Sequence, residues 1–181
     1  MEKTISKASG YSLWLVPDTK SEVYRVLTQC IADIAKEHQT FNFVPHTTLL
    51  GGVVGFEEDI RNKTRKLAEM IAPYYIELGE VGSNGIYFQI LFSKVEQTEM
   101  VMRANIVAQK VFAVEKGKYF PHASLAYGDF PSETIVILQQ QIRERQHSIT
   151  GKKFLVRDVE LWRTEGEVKD WYKVAIFPFK S

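Results

Sequence analysis

Two short stretches of this chain carry residues fit for proton transfer beside a phosphate, Phe43-Val44-Pro45-His46-Thr47-Thr48-Leu49 and Tyr119-Phe120-Pro121-His122-Ala123-Ser124-Leu125. Both follow one pattern: an aromatic three residues before His, then Pro, His, any residue, a hydroxyl and Leu. Side chains alternate faces along a strand, so residues i and i+2 share a face. His46 then points with Thr48, and His122 with Ser124. Two such strands brought together enclose two imidazoles and two hydroxyls. Imidazole titrates near neutrality, so one ring can take a proton from water while the other protonates a departing alkoxide. Each transfer is worth roughly 10²–10⁴-fold in rate. The hydroxyls can donate to non-bridging phosphate oxygens as the phosphorus centre gathers charge. The set suits a phosphodiester and calls for no metal or other cofactor.

A single His in a strand is more often structural than catalytic. Two copies in matching surroundings weigh differently, because the chain has only 4 histidines. The other two read as surface residues: His38 ends a helix, where a cation favours the dipole, and His147 lies past a helix rich in Gln and Arg. The single cysteine, Cys30, falls among Val26, Leu27, Ile31 and Ile34 and reads as a buried structural thiol.

The motifs sit in a repeated order of elements. Tyr11 to Val16 reads as a strand stopped by Pro17, with Asp18 or Thr19 offered as helix cap. Helical spacing runs from Ser21 to Glu37, and Phe43 to Leu50 is a strand. Glu57 to Ile71 reads as a helix. Tyr74 to Val81 and Ile86 to Phe92 read as a hairpin around Gly82-Ser83-Asn84-Gly85, which contains Asn-Gly. Glu96 to Val114 is helix and Phe120 to Tyr127 strand. A helix follows from Pro131 to about Gln146, then strands Lys153 to Thr164 and Trp171 to Phe177. Strand, helix and motif thus recur in one order, as for two similar lobes facing across a cleft. The fold class is α+β, with no Gly-rich βα turn or phosphate-loop lysine.

Size and charge bound the rest. The 181 residues make one domain, spanning 1–181, built of the two lobes. The hydrophobic fraction is 45%, the charged fraction 25% and the net charge +1. No global field draws in nucleic acid or an anionic membrane. Lys152, Lys153 and Arg157 read as a solvated strand end. MEKTISKASG has no apolar core of a signal peptide, and no run is long enough for a membrane span. With one cysteine, a reducing cytoplasmic setting is expected.

At these residues the sequence resembles the 2H phosphoesterase superfamily, named for its pair of His-x-Thr/Ser motifs. It is closest to the cyclic phosphodiesterases of the plant and yeast type. The likeness extends to Leu13-Trp14-Leu15-Val16-Pro17, to Gly85-Ile86-Tyr87-Phe88-Gln89 and to Ala126-Tyr127 after the second motif. It implies a two-lobed, pseudo-symmetric fold of antiparallel sheets facing a central cleft, with helices outside. It implies opening of nucleoside 2′,3′-cyclic phosphates to 2′-phosphates, and of ADP-ribose 1″,2″-cyclic phosphate to the 1″-phosphate. His122 would be the base on water and His46 the acid, although the residues alone do not separate these roles. Thr48, Ser124 and Tyr127 would bind phosphate, and Trp14 and Phe88 would wall the substrate.

By strict alternation Tyr127 faces away from Ser124, so a bulge or the strand end at Gly128 must turn it back. Trp14 stands between wall and core, since a strand aromatic is often core. The competing readings are an RNA-end phosphodiesterase or 2′–5′ ligase-like enzyme, a non-catalytic nucleotide-binding module, and a metallohydrolase. RNA would call for a basic groove, and a metal for carboxylates or a third His beside the motifs. The expected partner is a small cyclic phosphate, with an RNA end as the alternative; no membrane and no obligate protein partner are expected.

Overall fold

A computed structural model describes residues 8–180. Its strands are β1 (Tyr11–Leu15), β2 (Thr47–Val53), β3 (Tyr74–Gly82), β4 (Leu91–Val95), β5 (His122–Ala126), β6 (Lys153–Val156), β7 (Asp158–Arg163) and β8 (Tyr172–Pro178). Its helices are α1 (Glu22–His38), α2 (Glu57–Ala68), α3 (Glu99–Phe112) and α4 (Ser132–Arg145). Two of these helices start where a hydroxyl can take an orphan amide. Ser21 accepts from the Tyr24 amide at 3.1 Å and Thr98 from that of Val101 at 3.3 Å. Capping therefore falls later than at Asp18 or Thr19, and α3 begins three residues after Glu96. The Glu96 amide is instead committed to the carbonyl of Glu77.

All strand pairs are antiparallel, in the order β6-β3-β4-β5-β2-β1-β7-β8. The order has a twofold pattern. β1-α1-β2 on one side answers β4-α3-β5 on the other, and the halves meet at Thr47 opposite Ala123. The helices cross over: α1 packs on β5 and α3 on β2. Each motif strand is thus backed by the helix of the opposite half. Val23, Leu27, Cys30, Ile31 and Ile34 on α1 and Val101, Ala104, Ala108 and Phe112 on α3 are buried. The Cys30 thiol is in this layer, its pKa pushed up to about 11 by burial, which suits an inert core thiol.

Several element ends differ from the sequence reading by a few residues, and three differences go further. Residues 43–46 are not strand, and β2 runs on to Val53. The expected tight hairpin is a longer excursion, because Gly82 pairs with Phe92. Asn84 turns the chain there, its amide donating to the Gln89 carbonyl at 2.9 Å and its side chain to Gln89 Oε1 at 2.6 Å. A 3₁₀ turn at Tyr87–Gln89 follows and carries Phe88 against the rings of Tyr127 and Trp171. The long strand Lys153 to Thr164 breaks at Arg157, where the chain leaves β3 and joins β1 and β8. His38, expected at the surface, is half-buried with its ring edge-on to Phe130. His147 is exposed.

Candidate active site

The candidate side chains are aimed by two matching irregularities. Trp14 lies opposite Thr48 and Leu13 opposite Leu50, so Leu49 is an extra residue in β2. Phe92 lies opposite Ser124 and Leu91 opposite Ala126, so Leu125 is an extra residue in β5. A bulge reverses the alternation beyond it. Tyr127, three residues after Ser124, is thereby returned to the face of Ser124, and Gly51 to the face of Thr48. The bulge in β2 is braced: Asn105 Nδ2 donates to the Leu49 carbonyl at 2.7 Å, and the Tyr119 hydroxyl to that of Thr48 at 2.8 Å.

These residues meet around a cavity of about 240 Å³. His46, His122, Thr48, Ser124, Tyr127, Trp14 and Phe88 all line it. So do Trp171, Gln89, Ser12, Thr164, Gly51 and Ala8, which the motifs did not single out. No lining residue is charged in its side chain apart from what the imidazoles can carry. Lys152 and Lys153 are engaged elsewhere, with Glu22 at 2.8 Å and Glu77 at 3.0 Å.

The two imidazoles are held alike. Nδ1 of His46 lies 2.7 Å from the Val44 carbonyl, and Nδ1 of His122 lies 2.9 Å from that of Phe120. A carbonyl only accepts, so Nδ1 carries hydrogen in both rings. Nε2 is the atom left to give or take a proton. The surroundings differ. His46 is 4% exposed and stacks on Trp14 with centroids 3.5 Å apart at 6°. Trp14 in turn stacks on Trp162 at 4.2 Å. The indole of Trp162 donates to Glu160 at 2.7 Å, which fixes its rotation. Trp14 is only 2% exposed, so it is both wall and core. His122 is less enclosed and lies against Phe120 and Phe92.

Burial lowers both pKa values. It takes His46 down to about 3, with the charge of His122 adding to the shift and the Val44 carbonyl opposing it. His122 is lowered by burial and held up in part by backbone bonds to Phe120 and Phe88. Both rings are therefore neutral at pH 7 in the free enzyme. An entering phosphate supplies the counter-charge that would let one be protonated. Burial raises the Tyr127 pKa, opposed by its bond to Ser124, so this hydroxyl stays a donor. Ser124 Oγ donates to the Phe88 carbonyl at 3.2 Å.

The depressed His46 pKa has a consequence for stability. The unfolded ring titrates near 6.5 and the folded one near 3. Neutral burial is thus fully stabilising above pH 6.5 and is lost as pH falls toward 3, because only the unfolded chain takes the proton. The loss is about 1.4 kcal/mol per pH unit, or roughly 3–5 °C in Tm at this chain length. Thermal melts between pH 7 and 4 should show a steeper fall for the wild type than for His46→Gln. Equal slopes would show that His46 does not titrate in this way.

A family model described as "Cyclic phosphodiesterase-like protein" matches residues 9–177. The chain belongs to this family. It is accordingly an enzyme of the cyclic phosphodiesterase type. A cyclic phosphodiesterase of Arabidopsis thaliana is 25% identical over 175 residues, covering 94% of this chain and 95% of the relative. Among solved structures, TT0787 of Thermus thermophilus aligns with a TM-score of 0.63 at 18% identity, covering 94% of this chain and 97% of its own. LigT of E. coli in apo form aligns with a TM-score of 0.60 at 11% identity, covering 97% and 100%. At such identities these two speak for the fold alone. No helix among the described residues is long and apolar enough to cross a membrane, and none of their His, Cys, Asp and Glu form a group of three placed to hold a metal ion.

Proposed function

We propose that this cyclic phosphodiesterase hydrolyses small cyclic phosphates, taking nucleoside 2′,3′-cyclic phosphates to 2′-phosphates and ADP-ribose 1″,2″-cyclic phosphate to the 1″-phosphate. The observation that carries the reading is the matched pair of imidazoles, each tied at Nδ1 to the carbonyl two residues back and each lining one cavity. His122 Nε2 takes a proton from water as the water oxygen bonds to phosphorus. The bond from phosphorus to the 3′ oxygen breaks, and His46, which takes up a proton at Nε2 when the anionic phosphate binds, gives that oxygen its proton. Thr48 and Tyr127 donate to the non-bridging oxygens, as does Ser124 once its hydrogen turns from the Phe88 carbonyl to the phosphate. The rigid stack behind His46 keeps its ring aligned with the leaving oxygen. Trp14 and Phe88 wall the organic part of the substrate.

The small lining without cations suits one compact cyclic phosphate better than an RNA backbone, which needs a row of cations. LigT structures carry the nucleotides 3′-AMP, ATP and NADP+, which supports a nucleotide-sized ligand here. We place the activity in the cytoplasm, in RNA metabolism. The test is product identification from a panel: the four nucleoside 2′,3′-cyclic phosphates, ADP-ribose 1″,2″-cyclic phosphate and an RNA ending in a 2′,3′-cyclic phosphate. Preferred turnover of the small compounds to 2′- or 1″-phosphates supports the reading. Preference for the RNA end would favour the RNA-end alternative, and binding without turnover a nucleotide-binding module. EDTA is expected to leave the rate within about twofold, since proton transfer by two imidazoles requires no metal; a large loss would point to a metal site.

A further inference from the structure

The two half-sites differ most at one pair of equivalent positions. The bulges put residue 51 on the face of Thr48 as they put Tyr127 on the face of Ser124. In the second half the position is filled by an aromatic ring that stacks on Phe43 at 4.2 Å. In the first half it is Gly51. A positive φ favours glycine, as at the neighbouring Gly52 with φ 63. Gly51 has no such φ, so its backbone does not demand glycine. What the missing side chain provides is room. A Cβ there would lie 3.4 Å from Thr48 Cγ2 and 3.5 Å from Ser12 Oγ, and anything longer would cover Ser12.

Behind this clearing is a buried hydroxyl pair. Ser12 is 8% exposed and Thr164 2%, and their oxygens are 2.9 Å apart. Both line the cavity that holds the histidines. One hydrogen joins the pair, which leaves the second hydroxyl hydrogen and several lone pairs to spend. The Trp171 ring lines the same cavity. A region that can donate and accept, with no charged side chain, matches sugar hydroxyls or base carbonyls better than a second anion.

We propose that Ser12 and Thr164, opened to the cavity by Gly51, form a subsite for the neutral sugar–base part of the substrate, while Tyr127 at the equivalent place serves the phosphate. This rests on the cyclic phosphodiesterase reading above. It gives the pseudo-symmetric cavity a direction, with the nucleoside on the Gly51 side.

The experiment compares uridine 2′,3′-cyclic phosphate with ethylene glycol cyclic phosphate, which has the same five-membered ring and no sugar or base. The wild type, Ser12→Ala, Thr164→Val and the double variant are assayed on both. The preference for the nucleotide, taken as the ratio of kcat/KM values, is expected to fall about 3- to 10-fold in each single variant, the range of one hydrogen bond. The fall should sit in KM rather than kcat. The double variant leaves no buried hydroxyl orphaned, so it keeps the test readable if a single variant is unstable. An unchanged ratio, or equal losses on both compounds, would overturn the subsite. So would a wild type with no preference for the nucleotide. A wild type that opens neither compound would instead sink the parent reading, and the subsite with it.

Discussion

His46→Ala and His122→Ala are each expected to cut turnover of a nucleoside 2′,3′-cyclic phosphate by at least ~10²-fold, and up to ~10⁴-fold, while the chain remains folded. The two rings are held by the same device, Nδ1 to the carbonyl two residues back, so neither is redundant with the other. In the proposed mechanism each supplies a proton transfer that water at the same place performs poorly. Their structural costs should differ. His122 opens β5 and is only partly enclosed, so its loss should barely move the melting temperature. His46 is buried against Trp14, and its removal leaves a face of that ring bare. His46→Ala should therefore melt lower than His122→Ala although both are inactive. Kinetics and thermal melts on the two purified variants check this together. If either variant turns over within tenfold of the wild type, acid–base chemistry by both imidazoles is wrong.

Trp14→Ala should be damaging in two ways at once. The ring is sandwiched between His46 at 3.5 Å and Trp162 at 4.2 Å, and meets Trp171 edge-on at 6.0 Å. Truncating a buried aromatic costs about 3–5 kcal/mol, or on the order of 10 °C in Tm for a chain of this size. It also removes the plane against which His46 is aligned. A small misplacement of a catalytic group can cost about 10²-fold. Trp14→Phe keeps a flat ring in the stack and should recover most of the stability and part of the rate. Assay well below the melting temperature separates the two effects. If Trp14→Ala retains wild-type kcat there, Trp14 is core alone and does not position His46.

The candidate site residues were legible because their signal is local. His-x-Thr and His-x-Ser follow from strand alternation, and the helices behind them from apolar spacing at Val23, Leu27, Cys30 and Ile31. What escaped depends on partners distant in sequence. Tyr127 has the wrong parity until β5 takes up an extra residue against β4, and nothing near Leu125 announces that shift. The Asn84-Gly85 pair does turn the chain, but the last residues paired across the two strands are Gly82 and Phe92, so the excursion is longer than a two-residue turn. Arg157 has neither the ring of proline nor the freedom of glycine, and the break there comes from its flanking strands joining different neighbours. Trp162 and Glu160 share a face by alternation, but their place beneath Trp14 needs the register of β1 on β7. The half-sites looked equivalent as motifs. Gly51 against Tyr127 separates them, and that contrast becomes visible only when the bulges bring both positions to the cavity.

The most direct test of the two-imidazole account is the pH dependence of ring opening of uridine 2′,3′-cyclic phosphate in EDTA, measured as both kcat/KM and kcat. Burial lowers both imidazole pKa values in the free enzyme, so the bell in kcat/KM should centre below the ordinary histidine value of about 6.5. Bound phosphate raises both pKa values, so the bell in kcat should lie at higher pH. A single-sided profile, two coincident bells, or no ring opening without added metal would contradict the account.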